Sequence, residues 1–277
     1  MLQVSEISQQ DYDAFRGFLE QACGILLGDG KQYLIINRLA RLLREEKIAS
    51  VAMLLTALEC NSPRHLRGAV IDAMTTNETS WFRDGGPFTV FEKYLLTEID
   101  KRLTGQGRIW SAACSSGQEP YTISILINEY LRKNPDSALN NVQIIGTDIS
   151  QNMLTLAREA CYEEAMLARG ISATRRQQFF KPSGEQWQLI DTVRRRVQFR
   201  EQNLLESFTG LGRFDVVFCR NVLIYFSAQR KADILDRMAQ AMNPGGLLFL
   251  GASETISGYS DAFELRRFPE GVIYQRR

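Results

Sequence analysis

The stretch Ile109–Ile127, IWSAACSSGQEPYTISILI, starts as an apolar strand and continues as a helix, with small residues in the turn between them. A strand that runs directly into a helix is the first half of a βαβ unit. Small residues at such a turn let a ligand approach the backbone closely. Gly117 is the one glycine of the turn, and neither G-x-G-x-x-G nor Gly-Lys-Ser/Thr is present. The turn therefore predicts a site for a nucleoside that carries no pyrophosphate.

The alternation of strands and helices continues after this turn. Strands are expected at 108–113, 142–147, 197–200, 214–219 and 247–250, the last after Pro244-Gly245-Gly246, and helices at 118–132, 150–160 and 228–242. This order predicts a doubly wound, mostly parallel Rossmann-like sheet with helices on both faces. The tail FELRRFPEGVIYQRR predicts a terminal antiparallel hairpin around Pro269-Glu270-Gly271.

The first part of the chain has a different pattern. Apolar residues recur at helical spacing in Tyr12, Phe15, Leu19 and Ala22, in Leu34, Ile35, Leu39 and Leu42, and in Val51, Leu54, Leu55 and Leu58. Gly28-Asp29-Gly30 separates the first two helices, and Ser50 and Pro63 are start signals for later ones. A polar junction, MTTNETSWFRDGGP, then precedes an amphipathic helix with Phe88, Phe91, Leu95 and Ile99 on one side. We therefore expect an all-α domain at 1–75 and an α/β domain at 76–277.

Composition restricts the class of protein. The 277 residues carry 33 basic and 32 acidic side chains, so no global field favours nucleic acid or an anionic membrane. The five cysteines are scattered without C-x-x-C spacing, which favours reduced thiols over disulfides or a metal site. Neither a signal-like start nor an apolar run of membrane length is visible. We expect a cytoplasmic protein without membrane insertion or metal.

Two carboxylates are site candidates by position. Glu119 lies in the first strand-to-helix turn, and Asp148 ends the next strand in IIGTDIS, where an acidic side chain can accept hydrogen bonds from both ribose hydroxyls. The alternative role for Asp148 is to cap the helix that follows Ser150. His65, the one histidine, lies in the helical part, so a Ser-His or Cys-His nucleophile in the α/β domain is excluded.

The combined motifs resemble those of one family. MTTNETSWFRD, WSAACSSGQEPYTISILI, GTDIS, QNLLESF, FDVVFCRNVLIYF and PGGLLFLGASE are similar, in this order, to the chemotaxis receptor methyltransferases of the CheR family. The resemblance implies methyl transfer from S-adenosylmethionine to glutamate side chains of chemoreceptors, with S-adenosylhomocysteine as product. It also implies a small antiparallel β-subdomain, inserted at about 170–200.

The resemblance also implies site residues. The cofactor contacts of the family fall on Asn77, Thr79, Arg83, Glu119, Asp148, Asn203, Leu204, Arg220 and Asn221. Arg83 and Tyr225 are our candidates for orienting the acceptor carboxylate. The alternatives are an ion pair or cofactor clamp for Arg83 and a core aromatic for Tyr225.

Two features concern the receptor. Arg38, Arg41 and Arg44 recur at three-residue spacing in NRLARLLREEK, as a solvated basic face or, as the resemblance suggests, as a grip on the acidic receptor bundle. In some members the β-subdomain binds a C-terminal receptor pentapeptide as an added strand. Here KPSGEQW leaves little more than a tight turn, which predicts an enzyme that needs no such tether.

Two other functions stay open from the residues. The first is an S-adenosylmethionine methyltransferase that acts on RNA or a small molecule, with the helical part as a substrate cap. Near-neutral charge disfavours RNA, and Arg220-Asn221-Val222-Leu223 stands where base-amine methyltransferases carry an Asn/Asp-Pro-Pro-aromatic element. The second is a non-catalytic module that binds the cofactor and signals by docking.

Overall fold

The computed structural model describes residues 7–277. In these residues the chain forms a helical unit, followed by a sheet with helices on both faces. The expectations for residues 1–6, where the predicted all-α domain begins, lie outside the described residues. The helices are α1 Gln9–Cys23, α2 Gln32–Glu45, α3 Val51–Glu59, α4 His65–Met74, α5 Gly86–Val90, α6 Leu96–Arg102, α7 Gln118–Lys133, α8 Gln151–Glu159, α9 Glu164–Ala168, α10 Ala173–Phe179, α11 Asp191–Arg194 and α12 Ala228–Gln240. The strands are β1 Arg108–Ala112, β2 Gln143–Asp148, β3 Cys161–Glu163, β4 Phe180–Ser183, β5 Gln186–Leu189, β6 Val197–Glu201, β7 Phe214–Cys219, β8 Met242–Leu250, β9 Phe263–Phe268 and β10 Gly271–Arg276.

The helical unit is built as its apolar spacing predicts. Helices α1 to α4 surround their own buried cluster, which includes Tyr12, Phe15 and Leu39. The side chains of Ser8 and Ser50 accept hydrogen bonds from backbone N–H groups in the first turns of α1 and α3, so both act as N-caps.

The main sheet has seven strands in the order β6-β2-β1-β7-β8-β10-β9. The five strands from β6 to β8 are parallel, and β10 pairs antiparallel with both β8 and β9. Successive residues of β7 enter the buried clusters on opposite faces, Phe218 on one and Val217 on the other. The fold class expected from the sequence is confirmed. Strand order reverses between β1 and β7, where such sheets bind ligands.

The expected amphipathic helix is confirmed, since Phe88, Phe91, Leu95 and Ile99 are all buried, and a π-helical turn over Phe91–Leu95 interrupts it. Phe91 packs edge-on against both Phe218 and Phe249. One local expectation was wrong. Pro244-Gly245-Gly246 does not precede the strand but lies inside β8, which is irregular opposite Phe214 and Val216. Gly245 allows this irregularity with a φ of 70°.

The insert is a three-stranded antiparallel sheet in the order β3-β5-β4. It begins at Cys161, earlier than the expected position near 170, and β6 belongs to the main sheet. The turn between β4 and β5 consists of Gly184 and Glu185 alone, with Gly184 at a φ of 61°. Across this pair Pro182 faces Trp187.

Candidate functional site

The turn after β1 is folded in an unusual backbone conformation. Ala113, Ser115 and Gly117 have φ values of 56°, 49° and 92°. Left-handed backbone is costly for residues other than glycine, so the surrounding contacts must hold this turn in place. A Cβ atom at Gly117 would lie 3.0 Å from Cβ of Ala157, which explains glycine at this point. Left-handed residues therefore alternate with residues of ordinary backbone conformation over 113–117, and the chain turns here around the carboxyl end of β1.

A cavity of about 290 Å³ lies at this edge of the sheet. Its lining comes from 25–27, 74–80, 113–115, 148–149, 202–204, 220–222 and 225–226, together with Cys23, Lys31, Leu34, Arg38, Arg83 and Glu119. The helical unit and the carboxyl ends of β1, β2, β6 and β7 therefore form its walls together. All nine predicted cofactor contacts and Tyr225 are in the lining, whereas Arg41 and Arg44 are not.

Asp148 is buried, and both of its carboxylate oxygens accept backbone hydrogen bonds. The N–H of Ser115 donates to Oδ2 at 2.8 Å, and the N–H of Ser150 donates to Oδ1 at 2.9 Å. The N-cap of α8 is Ser150, whose Oγ accepts from the N–H of Met153, so the alternative capping role does not belong to Asp148. Burial raises the pKa of Asp148. Asp148 thus joins the turn after β1 to the turn after β2.

Glu119 and Arg220 form a buried ion pair in the cavity wall. Nη1 of Arg220 donates to Oε2 of Glu119 at 2.9 Å, and Oγ of Ser111 donates to Oε1 at 2.8 Å. The Arg220 side chain is 1% exposed and also donates to Oδ2 of Asp84 and to the carbonyl of Arg83, each at 2.8 Å. Burial raises the pKa of Glu119, and the Arg220 charge opposes this shift.

The segment from Asn77 to Arg83 lines the cavity and contacts the turn after β1. The carbonyl of Asn77 accepts a hydrogen bond from Oγ of Ser115 at 3.0 Å, and Nη1 of Arg83 donates to the carbonyl of Glu78 at 2.6 Å. The fully buried ring of Trp81 packs edge-on against Tyr162 and Phe180 of the small sheet. The insert therefore anchors the segment that carries Asn77, Thr79 and Arg83.

The loop after β6 joins the helical unit to the sheet. Nδ2 of Asn203 donates to the carbonyl of Ala22 at 2.8 Å, and its Oδ1 accepts from the N–H of Leu205 at 3.0 Å. Leu204 is buried in the cluster on the α12 face of the sheet. Both residues line the cavity, with the Asn203 amide committed to the interface with α1.

The loop after β7 carries Asn221 and Tyr225. Asn221 has a φ of 58°, and the carbonyl of Tyr225 accepts a hydrogen bond from the N–H of Leu26 at 3.0 Å. Sequence reasoning missed Glu254, whose carboxylate holds this loop by its backbone. The motif GASE contained Glu254, but no spacing rule links a residue after β8 to the loop after β7.

The three arginines of α2 do not share one environment. Arg38 is half-buried and donates to the carbonyls of Met74 and Thr75 and to Oγ1 of Thr76. The Arg41 side chain is 83% exposed and paired with Glu45 at 2.7 Å, and Arg44 is exposed too. Arg38 therefore contacts the segment that leads into the cavity, whereas Arg41 and Arg44 face solvent.

Candidate bases and metal ligands are few among residues 7–277. His65 lies on α4, exposed and 2.8 Å from Glu46. Burial raises the pKa of the Cys23 thiol and raises that of Cys114 well above its usual value, so both cavity thiols stay protonated at neutral pH. No cluster of His, Cys, Asp or Glu in these residues is suited to a metal ion. In the same part of the chain no helix is long and apolar enough to cross a membrane.

Comparison with known families accounts for this arrangement. Residues 10–75 match the all-alpha domain of CheR methyltransferases, and residues 77–272 match their SAM-binding domain. The chain belongs to the CheR methyltransferase family. It is 48% identical over 269 residues to the chemotaxis protein methyltransferase Cher2 of Pseudomonas putida, covering 96% of this chain and 98% of that protein.

Two other relatives also match nearly the whole chain. Chemotaxis protein methyltransferase 1 of Vibrio cholerae is 49% identical over 272 residues, covering 97% of this chain and 98% of that protein. The chemotaxis protein methyltransferase of Salmonella typhimurium is 34% identical over 271 residues, covering 96% of this chain and 91% of that protein. This CheR protein is a methyltransferase of chemotaxis, and its cofactor is S-adenosylmethionine.

The cavity suits this cofactor. Nε of Arg220 is buried and has no hydrogen-bond partner among the described residues, and the carboxylates of Glu119 and Asp148 lie in the same wall. Carboxylates accept hydrogen bonds from an ammonium group and from ribose hydroxyls, and a free guanidinium N–H binds a carboxylate. No phosphate cradle is needed, in agreement with the single glycine of the turn after β1.

Proposed function

We propose that this CheR protein transfers the methyl group to glutamate side chains of chemoreceptors and forms glutamate methyl esters. The receptor bundle is the partner, and the reaction takes place in the cytoplasm. In this proposal the helical unit 1–75 binds the receptor, and 76–277 binds the cofactor and carries out transfer. The names of the relatives, all chemotaxis protein methyltransferases, support a chemoreceptor substrate.

One observation carries the proposal, namely that both buried carboxylates of the described cavity wall are engaged in hydrogen bonds and that no histidine lines the cavity. The other carboxylate of the lining, Glu78, is exposed and lies 3.5 Å from Arg169. Glu119 holds Ser111 and Arg220, and Asp148 holds two backbone amides. The cavity thiols are protonated, and the histidine lies elsewhere. This arrangement favours an acceptor that arrives already ionised. A glutamate carboxylate, with an ordinary pKa of about 4.3, meets this requirement at neutral pH.

The cofactor supplies a methyl group on a positively charged sulfur. The chain supplies placement, since an in-line approach at about 3 to 3.5 Å and removal of water lower the barrier without a proton transfer. Nη1 of Arg83 donates a hydrogen bond to the carbonyl of Glu78, which leaves the other N–H groups of the guanidinium for the acceptor carboxylate. Tyr225 lines the same cavity, and its phenol hydroxyl is the second group proposed to orient the acceptor.

The basic face of α2 supports recognition of an acidic receptor helix. Arg41 and Arg44 are exposed one turn apart, where they can pair with carboxylates of the bundle. Arg38, also proposed to bind substrate, reaches the cavity lining while it holds 74–76. We propose that the receptor bundle lies along this face and presents one glutamate to the cavity mouth.

We further propose that this enzyme needs no receptor tether. The β4–β5 turn has two residues, which offer no loop to clasp a peptide. Pro182, in the edge strand β4, has no N–H to donate to an added strand. Titration with the C-terminal peptides of receptors from the same cell tests this point, and micromolar binding of any of them would refute it.

The function itself is tested with radiolabelled S-adenosylmethionine and three acceptors. We expect label in a soluble chemoreceptor signalling fragment and none in total RNA or in the small-molecule fraction of the same cells. Asp148→Ala is the matched enzyme control, because it removes a cavity carboxylate. Label in RNA or in small molecules alone would replace the proposal with the corresponding alternative, and transfer to none would favour a non-catalytic module.

A further inference from the structure

Glu254 lies outside the cavity, yet its carboxylate is the centre of a dense set of backbone hydrogen bonds. The N–H groups of Asn221 and Gly251 donate to Oε2, each at 2.7 Å. Those of Val222 and Ile224 donate to Oε1 at 2.9 and 3.3 Å. Four amides from two loops thus converge on one charged group, which is the stronger kind of hydrogen bond.

The surroundings are shaped for this carboxylate. A Cβ atom at Gly251 would lie 2.7 Å from Oε2 of Glu254 and 2.9 Å from the backbone nitrogen of Asn221. Only glycine leaves room for the side chain to reach back across the turn. The N–H of Glu254 donates to the carbonyl of Gly251 at 3.0 Å, which closes that turn.

The loop that Glu254 holds is part of the cavity wall. Asn221 keeps a left-handed backbone, with a φ of 58°, which is costly for a residue with a side chain. Asn221, Val222 and Tyr225 all line the cavity, and Glu254 does not. On its other side the loop is fixed by the bond from the N–H of Leu26 to the carbonyl of Tyr225. The loop is therefore held from behind by Glu254 and from the front by the helical unit.

We propose that Glu254 is a positioning residue for methyl transfer, which acts by setting the backbone of 221–225. It touches neither cofactor nor acceptor, and its effect reaches the reaction through Asn221 and Tyr225. This inference rests on the proposed function for its acceptor, but not for its cofactor. Glu254→Gln is the informative change, because the amide keeps the shape of the side chain. It loses the charge and turns an NH₂ donor toward backbone donors.

The control is Glu98→Gln, the same substitution in a glutamate that holds Arg266 through two contacts of 2.8 Å, away from the cavity. Both variants are assayed at a temperature where thermal melts show each to be folded. For Glu254→Gln we expect S-adenosylhomocysteine to bind at least fivefold more weakly by calorimetry and kcat on the receptor fragment to fall at least tenfold. For Glu98→Gln we expect both values to stay within twofold of wild type.

An affinity for S-adenosylhomocysteine within twofold of wild type in Glu254→Gln would overturn the positioning role. Equal losses in Glu254→Gln and Glu98→Gln would also overturn it, because they would report general weakening of the fold. If the wild-type enzyme leaves the receptor fragment unlabelled, the proposed acceptor fails, and calorimetry alone decides the role of Glu254.

Discussion

Nη1 of Arg220 lies 2.9 Å from Oε2 of Glu119, and this buried pair in the cavity wall joins the carboxyl end of β7 to the first turn of α7. A buried carboxylate that loses its partner is left with an uncompensated charge. The pair therefore fixes two walls of the cofactor site at once.

Arg220→Ala should lower the free energy of unfolding by about 3 to 5 kcal/mol at neutral pH, because Glu119 stays buried without its partner. The deficit should shrink as the pH is lowered, since protonation of Glu119 removes the orphaned charge. Urea unfolding at several pH values measures both effects. Arg220→Lys, which keeps a charge, should cost less, and a deficit independent of pH would contradict this explanation.

Asp148→Ala should weaken binding of S-adenosylmethionine by about 1.5 to 3 kcal/mol if its carboxylate holds the ribose through charge-assisted hydrogen bonds. Ser150→Ala is the matched control. It removes the N-cap of α8, at a cost of about 1 kcal/mol in stability, without removing the carboxylate. Calorimetry should show normal affinity for the control, and unchanged affinity in Asp148→Ala would remove Asp148 from the site.

As the pH is lowered, cofactor binding should begin to weaken at a higher pH than it would if the site held carboxyl groups of ordinary pKa. Burial raises the pKa of both Asp148 and Glu119, so each takes up a proton above the usual value of about 4 and then no longer accepts as an anion. The effect on stability has the opposite sign. The contribution of these raised groups is full below the unfolded pKa and is lost as the pH rises through the folded one. Calorimetry from pH 8 downward tests the binding half, and a flat affinity down to about pH 4 would contradict it.

Changes in the α2 arginines should have two distinct effects. Arg41→Glu with Arg44→Glu should raise KM for the receptor about three- to tenfold and leave cofactor affinity alone, because rim charges act on encounter with the partner. Added salt should reduce the difference. Arg194→Glu with Arg195→Glu, in the arginine pair near Asp191 on α11, is the matched control. Equal receptor kinetics for the two double variants would rule out the α2 face.

Arg38→Ala should instead weaken cofactor binding, since Arg38 holds Thr75 and Thr76 next to the cavity. Arg41→Ala on the same helix provides the comparison. Calorimetry with S-adenosylhomocysteine should separate the two, and equal affinities would confine Arg38 to receptor contacts.

Much of the architecture follows from patterns that are local in the sequence. The alternation of strands and helices around Ile109–Ile127 is visible because apolar residues recur with period two in a strand and period 3.6 in a helix. Each strand and helix shows its own period without reference to the rest of the chain. The boundaries of β7 were predicted without error for the same reason. Asp148 could be proposed from the sequence because the carboxyl end of a parallel strand is a recurrent place for a ligand, and it lies in the cavity lining.

What the sequence did not reveal depends on contacts between distant segments. Glu254 reaches Asn221, 33 positions earlier in the chain, and a Cβ atom at Gly24 would lie 2.3 Å from the ring of Phe226. The π-helical turn over Phe91–Leu95 lies where Phe91 packs against aromatic rings of β7 and β8. By spacing alone, the three arginines of α2 are equivalent, namely Arg38, Arg41 and Arg44. The structure distinguishes Arg38 because it contacts 74–76, a segment that is distant in the sequence.

The central claim, that the acceptor is a carboxylate, is tested most directly by the chemistry of the product. A receptor fragment labelled by wild-type enzyme is treated with mild alkali, which hydrolyses methyl esters and leaves methyl groups on nitrogen in place. We predict that the label is released as volatile methanol and that a fragment whose bundle glutamates are replaced by glutamine takes up none. Label that survives alkali, or that enters the glutamine fragment equally well, would contradict the account.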